Sequence, residues 1–447
     1  MSLSQPERGA NGGQPVASYD PDGNAPAQLW IGGYPDDDGA VRVPLIDDGV
    51  TLHERTDGPT DIARMAEVTI PASAYDTDWS AFMRRNQMEP ATLVMNDETV
   101  DQSIVALHGY VAAIGGGSKN TETCRIGGPS QFLTEIGASA SFTRSTRLRE
   151  ILTYLKNAFE DGQPVFDSVE IDVRDTIGLE PSVLEIFGTN LDTRKDKGAD
   201  SANVGFVNRT YARKSSYNRK EHTLGDVFTD LLQDFVATLT IQPAPDSDAD
   251  LTIVIQPDPN GYTALAEHLG GDLRVYENDA LAEIAPINQV RVEGIAGRKL
   301  QTPIGNTNVT FGDNEYPYVV VQYPSLVDRA DAVFEATTTV SLTNVLPITQ
   351  RAERILDERV TSRSDGPVVT ALTPTLHPRS GIKSRPRLTD AVIDADPIAY
   401  EIREARHKAY ANENGVHAES RFDVALYTDA LDIEVVEVGS ETVAGGN

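Results

Sequence analysis

Val416, Ala418, Ser420, Phe422, Val424 and Leu426 alternate strictly with their neighbours, the two-residue period of a strand with one buried face. Upstream, Ile398, Tyr400 and Ile402 fit a strand, although Ile398, Ile402 and Ala405 alone would equally suit a helix. The turn pair Asn414-Gly415 between the two stretches settles the reading on two long strands joined as a hairpin. Short strands also fill the first part of the chain, over 50–55, 64–70, 92–95, 103–114 and 121–126. Breaks at Asp57-Gly58-Pro59, Asn96-Asp97 and Gly115-Gly116-Gly117 separate them.

The period changes twice. Leu148, Ile151, Leu152, Leu155 and Phe159 fall at helical spacing and stop before Gly162 and Pro164. Leu224, Val227, Phe228, Leu231, Leu232 and Phe235 make one apolar face of a helix over 223–236, with Thr223 and Asp226 as a capping box carrying Asp in place of Glu. Beyond it come a strand over 251–255, a short helix over 262–269 closed by Gly270-Gly271, and strands over 289–293, 318–322, 333–340 and 368–372, with one helix over 350–360.

At 447 residues the chain exceeds what one core usually supports. The pattern predicts a mainly β protein with an α+β middle section: two small β-barrel domains, 28–126 and 296–438, flank an α+β domain over 127–295. A flexible arm over 1–27 and a flexible tail over 439–447 complete the division. No repeat of 20–50 residues is visible, which argues against solenoids and propellers. The first 27 residues hold no apolar core of a signal peptide, and no 18-residue apolar run occurs, so neither a secretory leader nor a membrane-spanning segment is expected.

Composition adds an environment. Asp and Glu number 68 against 38 Lys and Arg, a formal net charge of −30, which excludes nucleic acid as a global, sequence-specific partner. Only nine of the 38 cations are Lys. Carboxylates hold water and hydrated cations where concentrated salt screens their repulsion, whereas lysine stems add apolar surface that high salt drives together. The composition reads as haloarchaeal, since the alternative, an ordinary acidic protein in dilute buffer, would have to tolerate that self-repulsion unscreened. The single Cys124 falls in the strand 121–126 as a small buried residue, with no redox chemistry implied.

A search for catalytic constellations is largely negative. The chain contains no Gly-x-x-x-x-Gly-Lys-Ser/Thr, His-Glu-x-x-His or Gly-x-Ser-x-Gly. Gly294-Ile-Ala-Gly297 before Arg298-Lys299 lacks the third glycine of a phosphate loop. His377, His407 and His417 share one predicted domain, where a hairpin could bring two together, but such histidines are more often satisfied polar groups on strands than metal ligands. Acidic pairs such as Asp246 and Asp248, and the run Asp36-Asp37-Asp38, are what 68 carboxylates produce by chance. The reading is therefore no enzyme, with no catalytic, cofactor or metal site. One feature opposes the global charge: Arg209, Arg213, Lys214, Arg219 and Lys220 gather within twelve residues, interleaved with Tyr211 and Tyr217. It reads as a docking patch for an acidic partner or sister subunit, or else as a solvated loop. Arg379, Lys383, Arg385 and Arg387 form a weaker cluster of the same kind.

The order of parts resembles the tail hub (baseplate hub, or late-control protein) family of tailed phages and contractile injection systems. The resemblance is carried by Leu107-His-Gly-Tyr-Val-Ala-Ala-Ile114 followed by Gly127-Gly-Pro-Ser-Gln-Phe-Leu133, by the helices at 148–155 and 224–232, by 278–292, and by Tyr400-Glu-Ile-Arg-Glu-Ala-Arg-His407 ahead of Gly415. It covers about 28–438, while 301–317 does not align. It implies a structural virion protein of the tail tip or baseplate: a homotrimeric ring whose two barrels per subunit present six similar faces to a hexameric tail tube. The implied partners are sister subunits, the tail tube and other tail-tip proteins, with the tape measure as a further candidate. The location is the virion tail, assembled in the host cytoplasm, and with the composition the source is a virus of halophilic archaea. Alternatives are another tail-tip adaptor or receptor-binding virion protein, and a β-sandwich carbohydrate-active enzyme, against which stands the supply of only Trp30 and Trp79 as sugar-stacking indoles.

Overall fold

The computed structural model describes residues 26–173, 215–257 and 275–442, apart from internal stretches of at most eight residues, and the statements below concern those residues. The first portion holds β1 (Ala27–Ile31), β2 (Val41–Val43), β3 (Val50–Thr56), β4 (Ile62–Pro71), the short β5 (Ser73–Ala74) and β6 (Thr77–Asp78), α1 (Trp79–Arg85), β7 (Pro90–Asp97), β8 (Gln102–Gly115) and β9 (Thr121–Gly127). The middle holds α2 (Gln131–Glu135), β10 (Ala140–Phe142), α3 (Leu148–Gly162), β11 (Val169–Val173), β12 (Ser215–Tyr217), α4 (Leu224–Phe235), β13 (Ala237–Pro243) and β14 (Leu251–Pro257). The last portion begins with β15 (Val275–Asn278), β16 (Ala282–Ile284), β17 (Gln289–Glu293), β18 (Gln301–Ile304), β19 (Thr307–Thr310), β20 (Glu315–Gln322), α5 (Pro324–Ala330) and β21 (Glu335–Thr339). It ends with β22 (Thr361–Ala371), β23 (Gly381–Ser384), β24 (Arg387–Leu388), β25 (Ala391–Val392), β26 (Ile398–Asn412), β27 (Gly415–Leu426) and β28 (Glu434–Thr442).

The protein is mainly β with an α+β middle section. The largest sheet runs β15-β22-β27-β26-β3-β4-β9-β8-β7-β1-β2, so strands from the two ends of the chain share it. The junction is the antiparallel pair β3–β26, from Glu404 opposite Arg55 to Ala409 opposite Val50. Among the described residues no pairing joins β15 to β2, and the strands of the first and last portions are continuous through this junction. The long hairpin has the expected strands, with Asn412 opposite Gly415, so Gly415 belongs to β27.

In β8, Ser103 through Val111 are all buried, since the strand is covered on both faces. Leu107 and Val111 enter the first core with Leu52, Val68 and Ile126. Tyr110 enters the core of the middle section, with Leu155 and Phe159 of α3 and Val227, Phe228, Leu231 and Leu232 of α4. Each such side chain contributes about 1.5–3 kcal/mol when removed from water. The start of α4 is fixed by the predicted box: Thr223 N donates to Asp226 Oδ2 at 2.7 Å, and Asp226 N to Thr223 Oγ1 at 3.3 Å. The two helices pack against a small sheet, β11-β14-β13, whose first pair is parallel. The expected helix over 262–269 lies outside the described residues.

A second sheet, β21-β17-β20-β28, packs Val290, Val292, Val319, Val321 and Tyr323 against Ile348, Ala352, Ile355 and Leu356. The described residues 351–353 and 355–356 are helical, as the pattern predicts. Two sequence boundaries are crossed here. β17, placed with the middle section, bonds to β20 and β21 of the last portion. The tail expected to be flexible from 439 belongs as far as Thr442 to β28, held by Tyr318 opposite Gly439 and Glu315 opposite Thr442. A Cβ at 439 would lie 2.4–2.8 Å from the Tyr318 ring and hydroxyl, so a larger residue there displaces that ring. Among the described residues no helix is long and apolar enough to cross a membrane.

Candidate assembly surface

Of the predicted docking cations, Arg209, Arg213 and Lys214 lie outside the described residues, as do Tyr211, Arg379, Arg385 and 295–297 of the glycine-bearing stretch. Arg219 and Lys220 are exposed on the turn between β12 and α4. Asn218 builds that turn: its carbonyl accepts from the backbone N–H of Glu221 and His222 at 2.9 Å, and its Oδ1 accepts from Lys220 N at 3.2 Å. Arg219 runs across Gly137, where a Cβ would come within 2.5 Å of Arg219 Cγ. Tyr217 departs from the expected exposed contact. It is buried in the middle core, with its hydroxyl donated to Asp230 Oδ2 at 2.7 Å, because β12 pairs with β10 and turns the ring inward.

The histidines separate. His417 stacks on Tyr410 near the hairpin end, with centroids 5.1 Å apart, and His377 meets the Pro378 carbonyl at 2.8 Å. His407 is fully buried at the β3–β26 junction. Its Nδ1 lies 2.8 Å from Ser420 Oγ, and its Nε2 faces Glu54 Oε2 at 3.4 Å. Ser420 Oγ already accepts from Thr373 N at 2.8 Å, so its hydrogen is free for His407 Nδ1, and His407 Nε2–H then points at Glu54. Glu54 Oε1 accepts from Arg64 Nε at 2.6 Å, directly across β3–β4, and Arg64 Nη1 donates to the Ile241 carbonyl of β13 at 3.0 Å. Burial by itself raises the Glu54 carboxyl; Arg64 and His407, with a contribution from His377, outweigh it and lower it from 4.5 to about 2.

Ser420, His407 and Glu54 have the composition of an acyl-transfer triad. Their exposures are 0%, 0% and 1%, so no substrate reaches the Ser420 oxygen and the chain of contacts acts as a fastening. It ties β27, β26, β3, β4 and β13, which come from all three portions of the chain. A second tie to the middle section is Tyr34, whose hydroxyl donates to the Asp250 carbonyl at 2.7 Å and accepts from Ala244 N at 2.9 Å. Its ring stacks on buried His108 with centroids 4.1 Å apart, and burial lowers the His108 imidazole to about 3, so that ring is neutral. Among the described residues no group of three or more His, Cys, Asp or Glu is placed to hold a metal ion.

No protein-family model matches the chain, and no curated protein matches it. Among solved structures, the tail protein from Neisseria meningitidis MC58 matches with TM-score 0.50 and 10% identity, over 91% of this chain and 98% of that one. The chain shares its fold with that tail protein. Prophage tail protein gp18 from Listeria monocytogenes EGD-e matches with TM-score 0.44 and 10% identity, covering 90% and 94% of the two chains. The E. coli c3393 protein, a component of the type VI secretion system, matches with TM-score 0.42 and 12% identity, covering 90% and 77%.

Within this tail-protein fold the buried fastening is the feature that motif searching misses, because its members lie on four strands with no fixed spacing. A signal was nevertheless present. Glu54 continues the inward phase of Val50 and Leu52, Arg64 that of Ala66, Val68 and Ile70, His407 that of Ala405 and Ala409, and Ser420 that of Phe422 and Val424. One polar residue on the apolar phase of each strand marks groups that must find one another.

Proposed function

We propose that this chain is a structural protein of a tail-like assembly, acting as the hub at the tail tip or baseplate. Three copies form a ring that adapts a hexameric tube to the tip, and the partners are sister subunits, the tube and other tip proteins, with the tape measure as a further contact. The assembly is a virion tail built in the host cytoplasm, and the acidic, lysine-poor composition supports a virus of halophilic archaea as its source. The protein has no catalytic role. The observation that carries the reading is the end-to-end likeness to the Neisseria tail protein, which spans nearly all of both chains. The fastening supports it physically: a hub must hold several surfaces in fixed relation, and the buried Glu54–Arg64 pair reaches the other two portions through Arg64 to the Ile241 carbonyl and Glu54 to His407.

The cation cluster supplies a test. A chain of net charge −30 repels its neighbours, and Arg209, Arg213, Lys214, Arg219 and Lys220 offer them a complementary potential. Reversal to Glu at Arg213, Lys214 and Arg219 together weakens association, between subunits or with a partner, and leaves the isolated subunit folded. Sedimentation of the triple variant in molar salt checks this; assembly as tight as wild type assigns the cluster to a solvated loop.

A further inference from the structure

The exposed large apolar residues among the described residues are not spread evenly. Of seven, five lie on or beside the sheet β21-β17-β20-β28: Val333 and Phe334 at 53% and 48%, Val435 and Val436 at 38% and 42%, and Tyr316 at 37%. The first pair immediately precedes β21 and the second opens β28. These are the two edge strands, β21 pairing with β17 and β28 with β20 among the described residues. Both pairs sit at the same end of the sheet, because Glu335, Gln289, Gln322 and Glu434 form one row across it. In β28, Glu434, Val435, Val436 and Glu437 are all exposed, and Val436 is the extra residue of a bulge, since Glu437 lies opposite Val320 and Val435 opposite Val321. Open edges with apolar side chains invite another strand.

We infer that these two edges meet each other between copies of this chain, β28 of one subunit adding beside β21 of the next, in a head-to-tail contact that closes the ring. The inference rests on the ring reading above and names its contact. Charge selects the partner. Two copies of β28 laid antiparallel about Val435 and Val436 place Glu434 opposite Glu437 twice, and like charges directly opposite are destabilising. The β21 edge offers instead Thr337 and Thr339, exposed and uncharged, so a level contact sets like charges opposite once, Glu434 beside Glu335, rather than twice. A contact between two different edges is heterologous, leaves each subunit with one edge to give and one to receive, and forms rings when the rotation closes. The apolar pairs, level across the sheet, then come together at each boundary.

The test uses the full chain in molar salt and two variants, Phe334→Asp and Val436→Asp, with mass measured by sedimentation and folding by circular dichroism. Each variant alone is expected to be monomeric, since its one intact edge finds no mate. Mixed in equal amounts they give dimers and nothing larger, because the intact β28 of the first pairs with the intact β21 of the second. Either variant assembling alone as a trimer or a dimer, or no association in the mixture, overturns the inference while leaving a wild-type trimer standing. A monomeric wild type instead overturns the ring reading itself. If an aspartate variant fails to fold, Phe334→Cys and Val436→Cys are placed in one chain and treated with a bifunctional maleimide shorter than about 14 Å, the span of three strand spacings within a subunit. Cys124 is fully buried and leaves the new pair to react. Covalent species of up to three chains support the contact, and single chains only overturn it.

Discussion

Replacing Arg64 by Ala is expected to cost about 3–5 kcal/mol of stability, the penalty for leaving a buried charge without its partner. Glu54 is 1% exposed and its Oε1 accepts the Arg64 Nε–H at 2.6 Å. The loss should be visible as a lower denaturant midpoint at unchanged slope. The simultaneous change of Glu54, Arg64 and His407 to Leu, Met and Leu should recover most of it, since apolar groups of similar volume remove the desolvation cost along with the attraction. A triple variant no more stable than Arg64→Ala contradicts this account of the fastening. The same group sets an acid limb. The folded Glu54 carboxyl lies at about 2 against 4.5 unfolded, a depressed value, so its contribution is complete above about pH 4.5 and disappears as pH falls through about 2. That difference corresponds to about 3 kcal/mol. Glu54→Gln should flatten this part of the stability profile, and a profile unchanged between pH 5 and 2 would falsify the assignment.

Salt is expected to act as strongly as any substitution. Surplus carboxylates repel across a screening length of about 10 Å at 0.1 M salt and about 3 Å at 1 M. With a formal net charge of −30, the melting temperature should rise by about 10 °C or more from tens of millimolar to molar salt, at about 2–4 °C for each kcal/mol of repulsion removed. Sodium and potassium chloride should behave alike, because screening depends on ionic strength. A melting temperature that is flat or falling across that range removes the halophilic reading.

Much of the fold was legible because its periods are long and regular. The alternation from Val416 to Leu426 is β27, and the apolar faces of α3 and α4 are buried where the spacing puts them. Short elements were not legible. The seven residues of α1 carry only Trp79 and Met83 as buried positions, one i,i+4 pair, and the Asp78 cap that accepts from Ala81 N is a single side chain. β28 was missed because four of its nine residues are Glu, Ser or Thr beyond Val436, a composition that reads as solvated tail until Gly439 is seen paired with Tyr318. The junction β3–β26 joins residues some 350 positions apart, as His53 and Glu404 do at 2.8 Å, and no local pattern reports such a pairing. Beside the candidate docking cations Tyr217 was misplaced, since a lone tyrosine between charges looks exposed until the strand that turns it inward is known.

The proposed ring-forming role in a tail-like assembly is tested most directly by sedimentation equilibrium of the wild-type protein in molar salt. The account predicts a single species with the mass of three chains, persisting to low micromolar concentration. A species with the mass of one chain throughout that range would contradict it.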